Sequence, residues 1–316
     1  MFRTVVEINP NTEKISYESN IMTLGSCFSE HIGKKMQNAF FQTDINPFGV
    51  LFNPVSIRNS INLLLENKNY NENDIFQHGS LWKSFHHSSL FSANTPEECL
   101  FNMNMRARQG IENLNKADFL LITFGTAWVF EHVETKEVVS NCHKLPASKF
   151  VRKRLTVQEI VGECIALLHK LKILYPNLKV IFTVSPIRHW KDGAHENNLS
   201  KSTLLLAVES ICKLFPHVSY FPAYEIMLDE LRDYRFFASD MLHPSDVAVD
   251  YIWQRFSETY FSQKTNQLRK RLEQLSAQMS HRPIHPNSIE HSYFIYNLQQ
   301  QKAQLKTEFP FLADRF

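Results

Sequence analysis

The sequence predicts an α/β protein of three layers, with helices on both faces of a mostly parallel sheet and a helical hairpin at the C-terminus. Three observations support this class. Continuous apolar runs at residues 21–24, 118–124 and 179–184 read as strands covered on both faces, and Gly25, Gly125 and Ser185-Pro186 end them. Amphipathic helical stretches alternate with these runs; the plainest, residues 156–174, places Ile160, Ile165, Leu168 and Leu171 on its apolar side. Beyond about residue 260 the strands stop and helical spacing persists. The predicted organisation is a sheet domain over residues 1–260 and a helical extension over 261–316.

The elements follow in order. Residues 1–20 form a polar lead-in with a short edge strand at 14–17. The first buried strand turns at Gly25 into a helix marked by Ile32, Met36 and Phe40. Two Asn-Pro dipeptides mark residues 41–56 as loop, and a helix spans 56–66. Residues 67–95 are mixed, with Trp82 and Phe85 embedded and His86-His87 read as a surface pair. Thr95 before Pro96 opens a helix that runs to about Asn115. After the central strand comes a loop through residues 141–144, then the 156–174 helix and the next strand. A polar loop at 187–198, a helix at 200–215 and a short strand at 218–222 complete the sheet domain. The pattern is then helical over 247–279, where Leu268, Leu272, Leu275 and Met279 form a stripe. A turn at 281–286 leads to a second helix with Phe294, Leu298 and Leu305 on one side.

Composition excludes some classes. With 34 basic and 32 acidic residues in 316, the net charge of +2 gives neither a nucleic-acid footprint nor a polybasic membrane patch. Hydrophobic residues at 43% and charged residues at 21% fit a globular chain. The first ten residues carry Glu7 and no apolar core of a signal peptide, and no apolar run approaches the roughly 20 residues of a membrane span. The five cysteines form no Cys-x-x-Cys pair, so neither disulfides nor a zinc knuckle is expected and a cytoplasmic location is. No cofactor is implied. His189, His195 and Glu196 match no standard metal spacing, so no metal site is expected.

Two stretches carry chemistry. In Gly25-Ser26-Cys27-Phe28 a strand turns sharply into a helix, placing Cys27 where backbone N–H groups and the helix dipole favour a thiolate with a lowered pKa. Far downstream, Asp240-Met241-Leu242-His243-Pro244 places a carboxylate three residues before an imidazole. Together they predict a Cys27–His243–Asp240 arrangement, with Sγ within about 4 Å of an imidazole nitrogen. Ser26 is the alternative nucleophile. Loops at the carboxyl edge of the sheet contribute Asn141 and His143, then Arg188, His189 and Lys201, as groups for an anionic or sugar-like substrate. Trp128 and Trp190 are candidates to line the same pocket.

The Gly-Ser-Cys-Phe stretch resembles the GSCFA-domain family within the SGNH/GDSL hydrolase group, over roughly residues 20–260. The resemblance implies a flavodoxin-like fold, with Cys27 at the nucleophile position of the Gly-Asp-Ser block and Ser26 at its Asp position. It matches Asp240 and His243 to the Asp-x-x-His block. Ser29, where the family label has Ala, reads as a helix N-cap. For the oxyanion hole it implies a glycine, for which Gly49 beside Asn46 is the candidate, and a Gly-x-Asn block, for which the chain offers Gly125-Thr126-Ala127. The Asn position holds Ala127, so Thr126, Asn46 or Asn141 is expected to substitute. The implied activity is hydrolysis or transfer of an acyl group, with a small-molecule or carbohydrate ester as substrate. The missing Asn leaves open a non-catalytic module that binds a glycan or small anion. Self-association through the C-terminal helices is a further expectation.

Overall fold

The computed structural model describes residues 4–316, so the first three residues of the lead-in lie outside the described residues. The elements are β1 (Asn20–Gly25), α1 (Cys27–Asn38), β2 (Gln42–Ile45), α2 (Pro54–Leu65), β3 (Phe76–His78), β4 (Leu81–Lys83), α3 (Pro96–Lys116), β5 (Phe119–Phe124), β6 (Trp128–His132), β7 (Val138–Val139) and β8 (Phe150–Arg154). They continue as α4 (Val157–Leu174), β9 (Lys179–Val184), α5 (Gly193–Leu214), β10 (Val218–Phe221), the single turn α6 (Ala223–Glu225), α7 (Asp246–Tyr260), α8 (Gln263–Met279) and α9 (Ile289–Glu308).

Five parallel strands form the central sheet in the order β10-β9-β5-β1-β2. Alternate side chains of each strand enter opposite cores, as the two-residue period of a strand requires. Phe119 and Leu121 of β5 pack with α1, α7, α8 and α9, while Leu120, Ile122 and Phe124 pack with α2, α3, α4 and α5. That division is the three-layer architecture the apolar runs predict. From β1 the chain moves outward to β2, then returns to β5 on the other side of β1. The loops after β1 and β5 therefore diverge, and the crevice between them is where open parallel sheets bind ligands.

Caps explain where the helices start. Asn53 Oδ1 accepts the Ser56 N–H at 2.8 Å, with Pro54 as the first residue of α2. Thr95 and Pro96 do the same for α3, and Thr156 with Glu159 forms a capping box on α4. The start of α2 is thus two residues earlier than the periodicity predicts.

Other departures have physical reasons. The predicted loop 41–56 contains β2, a polar edge strand without an apolar run, held by the Asp44–Arg106 ion pair. The predicted loop 187–198 contains the first turns of α5. The loop predicted through residues 141–144 is flanked by the antiparallel sheet β7-β6-β8; β7 has only two residues and β8 is polar and exposed at its centre, so neither leaves an apolar run. The lead-in strand reduces to one bridge, Ile15 to Phe261. His86-His87 is no surface pair: His87 is buried against Phe48, Tyr70 and Phe91, and burial pushes its pKa down to about 3.

The predicted helical run 247–279 breaks at Phe261, where Ser262 caps a new helix, α8. Leu268, Leu272 and Leu275 are buried, but Met279 of the predicted stripe is 40% exposed. The hairpin packs on the sheet domain. Arg271 of α8 holds Glu308 of α9 through two hydrogen bonds of 2.8 and 2.7 Å, and Arg315 donates to the carbonyls of Phe40 and Tyr17. Among the described residues no helix is long and apolar enough to cross a membrane.

Candidate active site

The site begins where β1 meets α1. Gly25 sits opposite Thr123 of β5 with φ of +138°, and a Cβ there would lie 2.2 Å from the Thr123 carbonyl oxygen. Only glycine accepts both the dihedral and the contact. Three hydrogen bonds fasten this turn: Gly25 N–H to Asn46 Oδ1 (3.0 Å), Ser26 N–H to Thr123 O (3.2 Å) and Leu51 N–H to Gly25 O (2.9 Å). Ser26 occupies the N-cap position of α1, buried, with its Oγ unpartnered. Ser29, predicted as the cap, instead lies buried inside the first turn, since the helix already starts at Cys27.

Cys27 is thus the first residue of α1, half-buried, with its own N–H beside its sulfur. That N–H pulls the thiol pKa down, in the direction the sequence suggests. Burial outweighs this pull and Glu30 adds to the rise, so the net shift is upward. The expected lowering is corrected: burial holds the Cys27 thiol above its ordinary pKa.

An imidazole stands across the crevice. His243 Nδ1 lies 2.6 Å from Asp240 Oδ2, and the other carboxylate oxygen accepts the N–H groups of Leu242 (2.9 Å) and His243 (3.0 Å). Those backbone bonds, and then the imidazole, hold the Asp240 pKa down to about 2. An ionised carboxylate only accepts, so Nδ1 carries a proton, and in the neutral imidazole the lone pair is on Nε2. The tight turn needs Met241 at φ of +61°, and bonds from Ala238 N–H to His243 O (2.8 Å) and Ser245 N–H to Phe236 O (2.8 Å) brace it.

Cys27 and His243 line one cavity of about 700 Å³ at the carboxyl edge of the sheet. This is the size of a small-molecule site. Among the described residues no hydrogen bond joins Cys27 to His243, although both line this cavity. Phe52, Trp128, Phe130, Phe150 and Trp190 supply the apolar walls, and Asn53, Thr126, Asn141, Arg188 and His189 supply polar groups. Trp128, Phe130 and Phe150 come from the small β7-β6-β8 sheet.

Several predicted residues have other duties. The Gly49 N–H donates to Asn46 O at 2.8 Å, and a Cβ on Gly49 would collide with Ser88, so it is a turn glycine rather than an oxyanion donor. Asn46 is buried outside the cavity lining, fastening the β1 turn. The N–H groups of Gly125 and Thr126 both donate to Phe52 O, at 2.7 and 3.0 Å, which leaves neither for a substrate. Ala127 is fully buried in the core and does not line the cavity, so its position offers no side-chain donor. Asn141 lines the cavity, but its amide bonds Ser89 Oγ (3.2 Å) and the His143 N–H (2.7 Å). His143 turns inward to the Ser84 carbonyl (2.7 Å) and does not line the cavity.

Lys201 is buried beneath the floor, where its ammonium donates to Gly125 O and Ser185 O, both at 2.7 Å. It ties the ends of β5 and β9 together and does not reach a substrate. Burial, and then Arg188, pull its pKa to about 7. His189 does line the cavity; burial drives its pKa down to about 4, so it is neutral, with Nε2 packed toward Gly125. Arg188 faces the cavity with no hydrogen bond or ion pair among the described residues.

Sequence reasoning missed Asn53. Its Oδ1 caps α2 and one amide N–H donates to Ser56 Oγ at 3.0 Å, leaving the second N–H in the cavity wall. The Asn53-Pro54 pair reads as a turn signal, which concealed it. Among the described residues no group of three His, Cys, Asp or Glu is placed to hold a metal ion.

None of the curated proteins matches the chain. Solved structures similar to it include the following three. An acetyl xylan esterase from the rumen bacterium Butyrivibrio proteoclasticus has 10% identity and a TM-score of 0.40 over 77% of this chain, which spans 64% of that protein's length. A Bacteroides fragilis protein described as an acylhydrolase has 11% identity and a TM-score of 0.38, covering 82% of this chain and 91% of that one. A carbohydrate esterase family 3 protein from Talaromyces cellulolyticus has 11% identity and a TM-score of 0.33, covering 80% and 98%. The pattern of one family matches residues 20–256, from the first residue of β1 into α7, with Cys27, Asp240 and His243 inside the matched span. The chain belongs to the GSCFA family.

Proposed function

We propose that this protein cleaves or transfers acyl groups from small or carbohydrate esters, using Cys27 as nucleophile. One observation carries the reading: an imidazole with its Nε2 lone pair freed by Asp240 lines the same crevice as a cysteine at a helix N-terminus. In the reaction His243 Nε2 takes the Cys27 thiol proton as Sγ attacks the ester carbonyl carbon. The carbonyl π pair moves to oxygen. The Cys27 N–H and the second Asn53 amide N–H receive that oxyanion, in place of the side chain missing at Ala127. The intermediate collapses, the C–O bond to the leaving group breaks, and His243 returns the proton to the departing alcohol oxygen. A thioester on Cys27 remains. Water gives hydrolysis and a hydroxyl or amine acceptor gives transfer, each deprotonated by His243 as it attacks, with the thiol released.

The flat, half-exposed Trp190 ring at the cavity rim suits a ring-shaped substrate such as a sugar. A second reading, a binding module without turnover, is favoured by the buried Ala127 and by the absence of a Cys27–His243 hydrogen bond. Rapid mixing with 4-nitrophenyl acetate separates the two. The catalytic reading expects a burst of 4-nitrophenol approaching one per protein, followed by slower release. In Asn53→Ser, which keeps an oxygen to cap α2 and removes the amide donor, the burst rate should fall about 10- to 100-fold. Release no faster than in buffer would favour the binding module.

A further inference from the structure

The cavity is strongly basic, and its charges are unevenly paired. Arg152 is neutralised by Asp192 at 2.5 Å, and its guanidinium lies 4.2 Å from the Trp128 ring centre. Arg188, Lys144 and Lys191 also line the cavity, and none of them has an ion pair among the described residues. Lys144 and Lys191 are exposed rim side chains, of the kind water satisfies. Arg188 differs. It is half-buried, at the start of the loop that follows β9, and its charge is felt by the buried Lys201 ammonium and by Tyr224. Both hydrogen bonds of Lys201 go to main-chain carbonyls, and neither cation has an ion pair among the described residues.

A half-buried guanidinium loses part of its hydration without gaining a counter-charge. A concave wall of one sign also concentrates ligands of the other. We infer that Arg188 binds an anionic group on the substrate, so that the preferred acyl ester carries a carboxylate or a phosphate. This names the substrate class of the site proposed above and rests on that reading. Of the three cationic or imidazole groups the sequence offers for such a role, Lys201 is occupied beneath the floor and His189 is neutral. Arg188 is the contact that remains, and its planar fork fits the paired oxygens of either anion.

The test uses full-length protein with Cys27→Ala, which cannot turn over, and follows the fluorescence of Trp128 and Trp190. Three probes are titrated: 4-acetoxybenzoate, 4-acetoxyphenyl phosphate and neutral methyl 4-acetoxybenzoate. One or both anions should bind about tenfold more tightly than the neutral ester, and 1 M salt should shrink that preference. Arg188→Gln should remove it, and Arg188→Lys should restore part of it. The carboxylate and phosphate arms show which anion is recognised. Equal affinity for all three probes, or a preference that survives Arg188→Gln, would overturn the inference. A preference for anions in a protein that shows no burst would leave this inference standing and defeat the catalytic reading; a burst without the preference would do the reverse.

Discussion

His243→Ala is expected to lower turnover of an activated ester by about 10²- to 10⁴-fold at neutral pH, the range for losing a positioned acid–base group. The mutant has no group to take the Cys27 proton, and burial keeps that proton in place. Because thiolate forms on its own as pH rises, the loss should shrink in alkaline solution. Alkylation of Cys27 by iodoacetamide should behave differently. With no hydrogen bond between the two residues at rest, the labelling rate should rise only above the range of an ordinary thiol and change little in His243→Ala. Fast labelling at neutral pH that disappears in the mutant would contradict the resting thiol. Turnover unaffected by His243→Ala would contradict its role as base.

Gly25→Ala is expected to cost more stability than any surface change in the chain, about 3 kcal/mol or more, or to prevent folding. The added Cβ would stand 2.2 Å from the Thr123 carbonyl oxygen, and the residue would be held at φ of +138°. Neither conflict has a flexible partner, because the obstacle is the backbone of the central strand β5. The change also pushes Ser26 and Cys27 away from the crevice, so any folded fraction should be slow to acylate. Thermal or urea unfolding measures the first effect directly. A variant that melts within 2 °C of the wild type would show that the β1 turn relaxes in a way this packing does not allow.

The central sheet is legible in the sequence because its strands are covered on both faces. Runs such as Phe119–Phe124 are then apolar throughout, and nothing else in the chain looks like them. Elements that serve the surface left no such mark. The edge strand β2 is Gln-Thr-Asp-Ile, and β8 is Phe-Val-Arg-Lys-Arg. Strand β8 and its neighbour β6 build one wall of the cavity, so its aromatic lining was visible only as isolated residues such as Trp128. Cys27 and the Asp240–His243 pair stood out because each depends on local geometry, a strand-to-helix turn and a three-residue spacing. The direction of the Cys27 pKa did not, since it depends on how deeply the turn is buried. Lys201 and His143 read as loop-side ligands because sequence does not reveal which way a side chain turns, and both turn inward to main-chain carbonyls.

The central claim is that Cys27 carries the acyl group. The most direct measurement is intact and peptide mass spectrometry of the protein quenched in acid shortly after mixing with 4-nitrophenyl acetate. One acetyl group should appear on the peptide containing Cys27, leave on treatment with neutral hydroxylamine as a thioester does, and be absent from Cys27→Ala. Acetylation that survives neutral hydroxylamine and persists in Cys27→Ala would place the ester on Ser26 or elsewhere and contradict the account.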